Sequence, residues 1–328
     1  MRLLLLGGGH AHAAVLRGLR GCDVTLVTPY PHHTYSGMLP GFVAGHYRLD
    51  EIRIDLAALA ARAGAKLVLG RVAALDAARR VARLEGGTEI PYDLASLNLG
   101  SESNAPEYAL AAKPFETFLE RWLELKDRAL SIAVVGAGAA GVEVAMAAAQ
   151  RTGARVALFS DRAMFRPGLA RRIARQLGRN GVALRAGVAF TDGARGDFDL
   201  VIWTAGAAAP PWLRDSGLAT DAQGFVLVDD KLRSVSHPEV FAAGDCATLR
   251  DAPHPKSGVY AVRHAQVLAH NLGGGELRGY APQRRALALI SCGARYAIAD
   301  WNGWSTEGAW AWRWKDRIDR RWIAGFRS

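Results

Sequence analysis

The chain has 328 residues, 50% hydrophobic and 22% charged, which is enough for two or three domains with sizeable cores. No apolar run reaches the ~20 residues of a spanning helix. The opening MRLLLLGGG reads as a buried strand rather than a signal peptide, because its apolar run is only Leu3–Leu6 and no small-residue cleavage site follows. The net charge of +10 is spread along the chain with one concentration at the C-terminus. With no zinc-finger or RNP-type motif, nucleic-acid binding is not expected, and anionic cofactors or anionic lipid suit the basic balance. Cys22, Cys246 and Cys292 form no CxxC pair, so neither a disulfide framework nor a zinc site is expected and a reducing cytoplasm fits; a Cys246–Cys292 pairing is left open.

In chain order, Arg2–Leu6 predicts a strand, Gly7, Gly8 and Gly9 a turn, AAVLRGLR a helix, and DVTLVT a strand ending at Thr28-Pro29. His12 stands where a third glycine is expected, and it faces either the turn or the neighbouring strand. His32 and His33 lack a third ligand, so no metal is expected. Further on, SIAVVGAGAAGVEVAMAAAQ repeats the pattern. There Ile132–Val135 is the strand, Gly136-x-Gly138-x-x-Gly141 the turn and Val142 onward the helix, before a second strand that ends at Ser160. A lone GxGxxG is weak, but here strand, turn, helix and strand recur in order. The first glycine permits the tight turn, the second lets backbone approach a pyrophosphate, and the third lets helix and strand pack closely. The helix N-terminus then offers open N–H groups to phosphate.

The two units also close alike. YDLASLNLGS ends at Gly100-Ser101 and FDLVIWTAG at Gly206, which reads as an internal duplication. In HPEVFAAGDCATL a short buried strand runs into Gly244-Asp245, where the acid either accepts from a polyol or caps a following helix. PKSGVYAVRHAQVLAHNL predicts a helix from near Gly258, with His264 and Gln266 as packing or surface residues. Trp310, Trp314, Ile318, Trp322 and Phe326 recur every four residues beside Arg313, Lys315, Arg317, Arg320 and Arg321. Such a helical stripe suits a membrane interface, and equally packing on the rest of the chain or on a second subunit.

LLLLGGGHAH, GAGAAGVE and VFAAGDCA, in that order, resemble the two-dinucleotide-binding-domain flavoproteins of the pyridine nucleotide–disulfide reductase superfamily. PHHTYSGMLPGFVAGHYRLDEIRIDL and the C-terminal stretches resemble the flavoprotein module fused ahead of selenide, water dikinase, itself similar to type II NADH dehydrogenases and sulfide:quinone oxidoreductases. The resemblance implies an α/β fold of two Rossmann-like domains plus a short C-terminal α+β segment. The implied boundaries are 1–105 and 231–278 for FAD, 106–230 for NAD(P)H, and 279–328 for a membrane or dimer contact.

It further implies FAD on Gly7, Gly8, Gly9, Thr28, Pro29, Gly100, Gly244 and Asp245, with Gly37, Met38, Gly258 and Val259 beside the flavin. NADH or NADPH would lie on Gly136, Gly138, Gly141, Ser160 and Gly206. Glu143 would lie near nicotinamide and flavin, to orient the carboxamide or relay a proton, or else simply pair with its own helix N-terminus. Lys256 would add positive charge at the flavin, or be a solvated loop lysine.

The departures are informative. No cysteine pair follows the first turn, so dithiol chemistry is not expected, and Thr28 replaces the usual ribose-binding acid. Ser160 replaces the same acid in the second unit; Asp161 beside it leans toward NADH, while Arg162 would accommodate a 2′-phosphate. The reaction implied is hydride transfer from NAD(P)H to FAD, then electrons to a quinone. The alternatives are a soluble reductase of a small selenium or sulfur acceptor and a non-catalytic flavin- or nucleotide-binding sensor. The implied location is cytoplasmic, or peripheral on the cytoplasmic face of the inner membrane.

Overall fold

A computed structural model describes all residues except 20–22, 129, 164, 284–286 and 328; Cys22 lies outside the described residues. The first unit comprises β1 (Arg2–Leu6), α1 (His10–Gly18), β2 (Asp23–Thr28), β3 (Lys66–Leu69) and β4 (Leu94–Leu97). The second comprises β5 (Leu110–Ala111), β6 (Ser131–Val135), α2 (Ala139–Thr152), β7 (Arg155–Ser160), α3 (Pro167–Arg179), β8 (Ala183–Ala186) and β9 (Leu200–Trp203). The chain then adds β10 (Val240–Ala242) and α4 (Gly258–Leu272). It ends in β11 (Ala288–Ser291), β12 (Ala297–Trp301), β13 (Trp304–Gly308) and α5 (Ala309–Ala324).

Two five-stranded parallel sheets result, ordered β10-β4-β1-β2-β3 and β5-β9-β6-β7-β8. Their central strands are apolar without alternation: Leu3 to Leu6 and Ile132 to Val134 are all at most 1% exposed. That pattern fits parallel strands covered on both faces. β10 returns to the first sheet beside β4, and α4 packs along α1, so the stretch from residue 240 completes the first unit. The last three strands form an antiparallel sheet, and α5 crosses it to reach the Ser36–Met38 turn.

The duplication is visible in the backbone. Gly7 and Gly136 both have positive φ (93° and 102°), and Gly9 and Gly138 cap α1 and α2 in nearly identical extended conformations. Both helices begin three residues before the apolar runs suggest, because residues of the turn motif themselves form the first helical turn.

The C-terminal stripe divides. Trp310, Trp314 and Ile318 are 45%, 42% and 43% exposed, whereas Phe326 is buried. The half-buried Trp322 stacks on Tyr35 at 4.5 Å and lies 5.2 Å from the His10 ring. The sequence expectation of one continuous face is thus corrected, since α5 tilts its second half into the body of the protein. Trp322→Ser is expected to cost about 2 kcal/mol of stability, and Trp314→Ser to stay within about 0.5 kcal/mol of the parent; paired thermal melts check both.

The two units are also fastened by Glu116, a buried carboxylate in the first turn of the helix Phe115–Leu125 that joins β5 to β6. It accepts from Thr34 Oγ1 (2.5 Å), Arg53 Nη2 (2.6 Å) and His32 Nε2 (3.1 Å). Burial alone would raise its pKa, but the His32 and Thr34 hydrogen bonds and the Arg53 charge outweigh burial and hold it at about 2. A depressed carboxylate stabilises above its unfolded pKa and loses that contribution as pH falls toward the folded value. Glu116→Gln should therefore lower the denaturation midpoint at pH 6, and the gap from the parent should shrink between pH 4.5 and about 2, as denaturant titrations at both ends would read.

Candidate functional site

The first glycine turn is closed by a side chain of the YDLASLNLGS stretch that the pattern of that stretch does not single out. Asn98, directly after β4 and 3% exposed, accepts the Ala11 N–H (3.0 Å) and the His12 N–H (3.4 Å) on Oδ1 and donates from Nδ2 to Ala243 O (2.7 Å). Its own backbone takes the Gly9 N–H and donates to Leu6 O. One residue thus ties the turn, the end of β4 and the stretch before Gly244. A Cβ on Gly9 would stand 2.3 Å from Asn98 Oδ1, and one on Gly7 2.5 Å from Asn98 O.

His12 reaches both predicted neighbours. Its Nδ1 lies 2.5 Å from Gly7 O, and its Nε2 lies 2.9 Å from Ser96 Oγ on β4. A carbonyl only accepts, so Nδ1 carries the proton and Nε2 accepts. Burial lowers the pKa to about 4, so the ring is neutral. The second unit has no room for such a device, because a Cβ on Gly141 would lie 1.8 Å from Gly136 O.

Around the first turn stand Thr28, whose hydroxyl would lie 2.9 Å from a Cβ on Gly8, the exposed Pro29, and Gly100 at positive φ. Asp245 caps no helix: a short strand, Ala247–Leu249, follows it. Its carboxylate instead pairs with Lys113 Nζ (2.6 Å), which also donates to Ser101 Oγ (2.9 Å). His264, 1% exposed, accepts the Gly244 N–H at 3.0 Å, whereas Gln266 is exposed. The N–H groups of Gly8 and His10 are taken by no protein acceptor among the described residues, and His10 Nε2 is buried there without a partner.

The Ser36–Met38 turn meets the N-terminus of α4, where a Cβ on Gly258 would be 3.1 Å from Ser36 Oγ; Val259 is 40% exposed. Lys256 does not point to this turn. Its Nζ donates to Ala247 O (2.5 Å) and Thr248 Oγ1 (2.8 Å) and lies over the Phe225 ring. The ammonium that reaches Gly37 is Lys315 of α5, which donates to Gly37 O (2.5 Å) and to Asp319 (2.7 Å), itself held by Tyr35 OH. Glu143, half-buried, accepts the Ser291 N–H of β11 at 2.8 Å rather than pairing with its own helix end. Burial raises its pKa, with the Lys315 charge opposing.

At the second turn, Thr204 donates to Gly136 O (2.8 Å) and Gly206 has positive φ beside Asn104. A cavity of about 460 Å³ lies between Ala137, the end of β7 at Ser160, Asp161 and Arg162, and Ile173 of α3. The donor sets fit a dinucleotide at each turn: uncommitted N–H groups and one unpartnered imidazole nitrogen at the first, and an apolar slot with a polar rim at the second. Cys246 and Cys292 are free and buried, with thiol pKa values pushed up by burial to about 11 and about 12. Asn98, Lys113 and Lys315 had no pattern that would have singled out the first two; Lys315 was visible only as one basic residue of the C-terminal stripe.

Comparison with known proteins adds the following. The family described as pyridine nucleotide-disulphide oxidoreductase matches residues 1–266. The NADH dehydrogenase-like protein YutJ of Bacillus subtilis is 24% identical over 88% of this chain and 89% of its own. The type II NADH:quinone oxidoreductase Ndh of Mycobacterium tuberculosis is 26% identical over 87% of this chain and 74% of its own. The sulfide:quinone oxidoreductase structure from Aquifex aeolicus superposes with a TM-score of 0.79 at 15% identity, over 99% and 91% of the two chains.

Asn98→Leu would orphan two helix N–H groups and leave the Ala243 carbonyl with only the weak Cys246 thiol donor. It should cost about 3 kcal/mol and release bound flavin, and Gly9→Val should release flavin by collision with the same carboxamide. Absorbance spectra of the purified variants check both.

Proposed function

Because this chain belongs to the pyridine nucleotide-disulphide oxidoreductase family, we propose that its electrons go to a quinone taken from a membrane surface. The chain is an NAD(P)H-dependent flavoprotein oxidoreductase, and its cofactors are FAD and NADH or NADPH. Hydride acceptance and onward electron transfer are supplied by FAD when bound. The chain's own part is placement. Gly7, Gly8, Gly9, Thr28, Pro29, Gly100, Gly244 and Asp245, with Asn98 and Lys113 behind them, would hold the FAD dinucleotide. Gly136, Gly138, Gly141, Ser160 and Gly206 would hold the nicotinamide dinucleotide. Gly37, Met38, Gly258 and Val259 would border the flavin, where the N-terminus of α4 favours negative charge. Glu143 Oε1 is engaged by Ser291, which leaves Oε2 of this half-buried carboxyl to carry a proton. Lys256 braces the Ala247–Leu249 strand, and Lys315 sits nearer the Gly37 turn.

The observation that carries the quinone reading is α5. Its outer face presents Trp310, Trp314 and Ile318 beside the exposed Arg313, Arg317 and Arg321, while Lys315 on the same helix touches the Gly37 turn. Aromatic residues next to basic ones suit an anionic lipid interface, where each cation contributes about 1 kcal/mol. No helix among the described residues is long and apolar enough to cross a membrane; the proposed contact is a peripheral one, on the cytoplasmic face of the inner membrane. Similarity to the Mycobacterium quinone reductase supports the same acceptor. The buried, free Cys246 and Cys292 give no support to sulfide or dithiol chemistry.

The parent should co-sediment with anionic liposomes, less so at high salt, and should reduce a quinone faster than a soluble dye under NADH or NADPH. Trp310→Ser with Trp314→Ser should reduce co-sedimentation and leave flavin reduction intact. Gly138→Val should keep flavin but slow its reduction. Equal rates with and without lipid, and no sedimentation, would instead point to a soluble acceptor.

A further inference from the structure

The rim of the second-turn cavity bears on which nicotinamide dinucleotide enters it. In an NADH site, a carboxylate at the end of the second strand accepts both hydroxyls of the adenosine ribose. Here β7 ends at Ser160, which is 7% exposed, and its hydroxyl proton is spent on Arg162 O at 2.6 Å. The carboxylate arrives one residue late. The Asp161 side chain is 68% exposed and stands 3.9 Å from Arg162 Nε, too far for a hydrogen bond but close enough to be drawn to it. Arg162 is 77% exposed, and its guanidinium makes no hydrogen bond to the protein among the described residues. Both residues line the cavity, whose walls are otherwise apolar: Ala137, Leu158, Ile173 and Leu184. The helix that follows, α3, carries Arg171, Arg172, Arg175 and Arg179 and no acid.

From this rim we infer that the cavity takes the 2′-phosphorylated dinucleotide, NADPH, in preference to NADH, with Arg162 as the phosphate ligand. The inference rests on the nucleotide assignment above and deepens it. A free, planar guanidinium matches a phosphate with two parallel N–H···O bonds. An acid displaced from the strand end and screened by the same arginine is a weak partner for ribose hydroxyls. Arg172 and Arg175 of α3 are paired with Glu307, and the exposed Arg171 and Arg179 add a field of the sign that a dianionic phosphate requires.

The test uses the full chain and two adenosine-end fragments, 2′,5′-ADP and 5′-AMP, with affinities read by titration calorimetry. The parent should bind 2′,5′-ADP tighter than 5′-AMP by about tenfold or more, the range of one charge-assisted bidentate contact. Arg162→Gln, at an exposed position that folding does not depend on, should erase that preference and leave 5′-AMP binding unchanged. Asp161→Asn should keep or increase it. Stopped-flow flavin reduction should rank NADPH above NADH in the parent and lose the ranking in Arg162→Gln. Equal affinities for the two fragments would overturn the inference and leave the nucleotide site standing, as would weaker 5′-AMP binding in Asp161→Asn, which would make Asp161 the ribose acid. Failure of both fragments to bind, together with a flavin that neither dinucleotide reduces, would remove the nucleotide assignment itself and the inference with it.

Discussion

The carboxamide of Asn98 is the point on which the first nucleotide turn hangs. A glycine turn is short of side chains by design, so something else must fix where it lies relative to the sheet. Here one buried side chain receives the Ala11 and His12 N–H groups in the first turn of α1 and returns a hydrogen bond to the stretch before Gly244. The glycines at 7 and 9 are needed less to admit a ligand than to let Asn98 approach, since a Cβ at either would overlap its atoms. Gly7, Gly8, Gly9, Gly100, Gly244 and Asp245, expected to meet the FAD dinucleotide, lie on the three stretches that this single amide ties together.

The two units solve the same steric problem in different ways. In the second, helix and turn press so closely that only glycine fits at residue 141. In the first, the helix stands off far enough for an imidazole, and His12 fills the gap while tying Gly7 to Ser96. A hydrogen-bonded spacer replaces van der Waals contact, and the neutral, buried ring satisfies both of its nitrogens. An internal duplication can therefore diverge at a motif position without losing the turn, provided that the new side chain finds partners inside.

What was legible in the sequence follows from the range of the interactions involved. The paired βαβ units rest on local signals: unbroken apolar strands, glycines at fixed spacing and helices directly after them. The division of the Trp310–Phe326 stripe was not legible, because a four-residue period gives a face but not what lies opposite it, and Tyr35, which Trp322 meets, is far away in the chain. Lys113 and Asp245 are separated by most of the second unit, and neither carries a mark of the other. Lys256 has the right neighbourhood in sequence, but its flexible stem turns the ammonium toward the Ala247 carbonyl.

The junction between β13 and α5 has a geometric meaning. The strand ends at Gly308 and the helix begins at Ala309, so no linker separates the three-stranded sheet from the helix. The Lys315 and Asp319 contacts then lock the helix at its middle to the Ser36–Met38 turn. The outer aromatic face and the Ser36–Met38 turn therefore belong to one rigid frame. A surface that met Trp310 and Trp314 would fix the tilt of this frame, and with it the height of that turn above the surface. On the proposed membrane reading, the path an acceptor would cross is then set by the fold itself, where a tethered anchor would leave it to thermal swing.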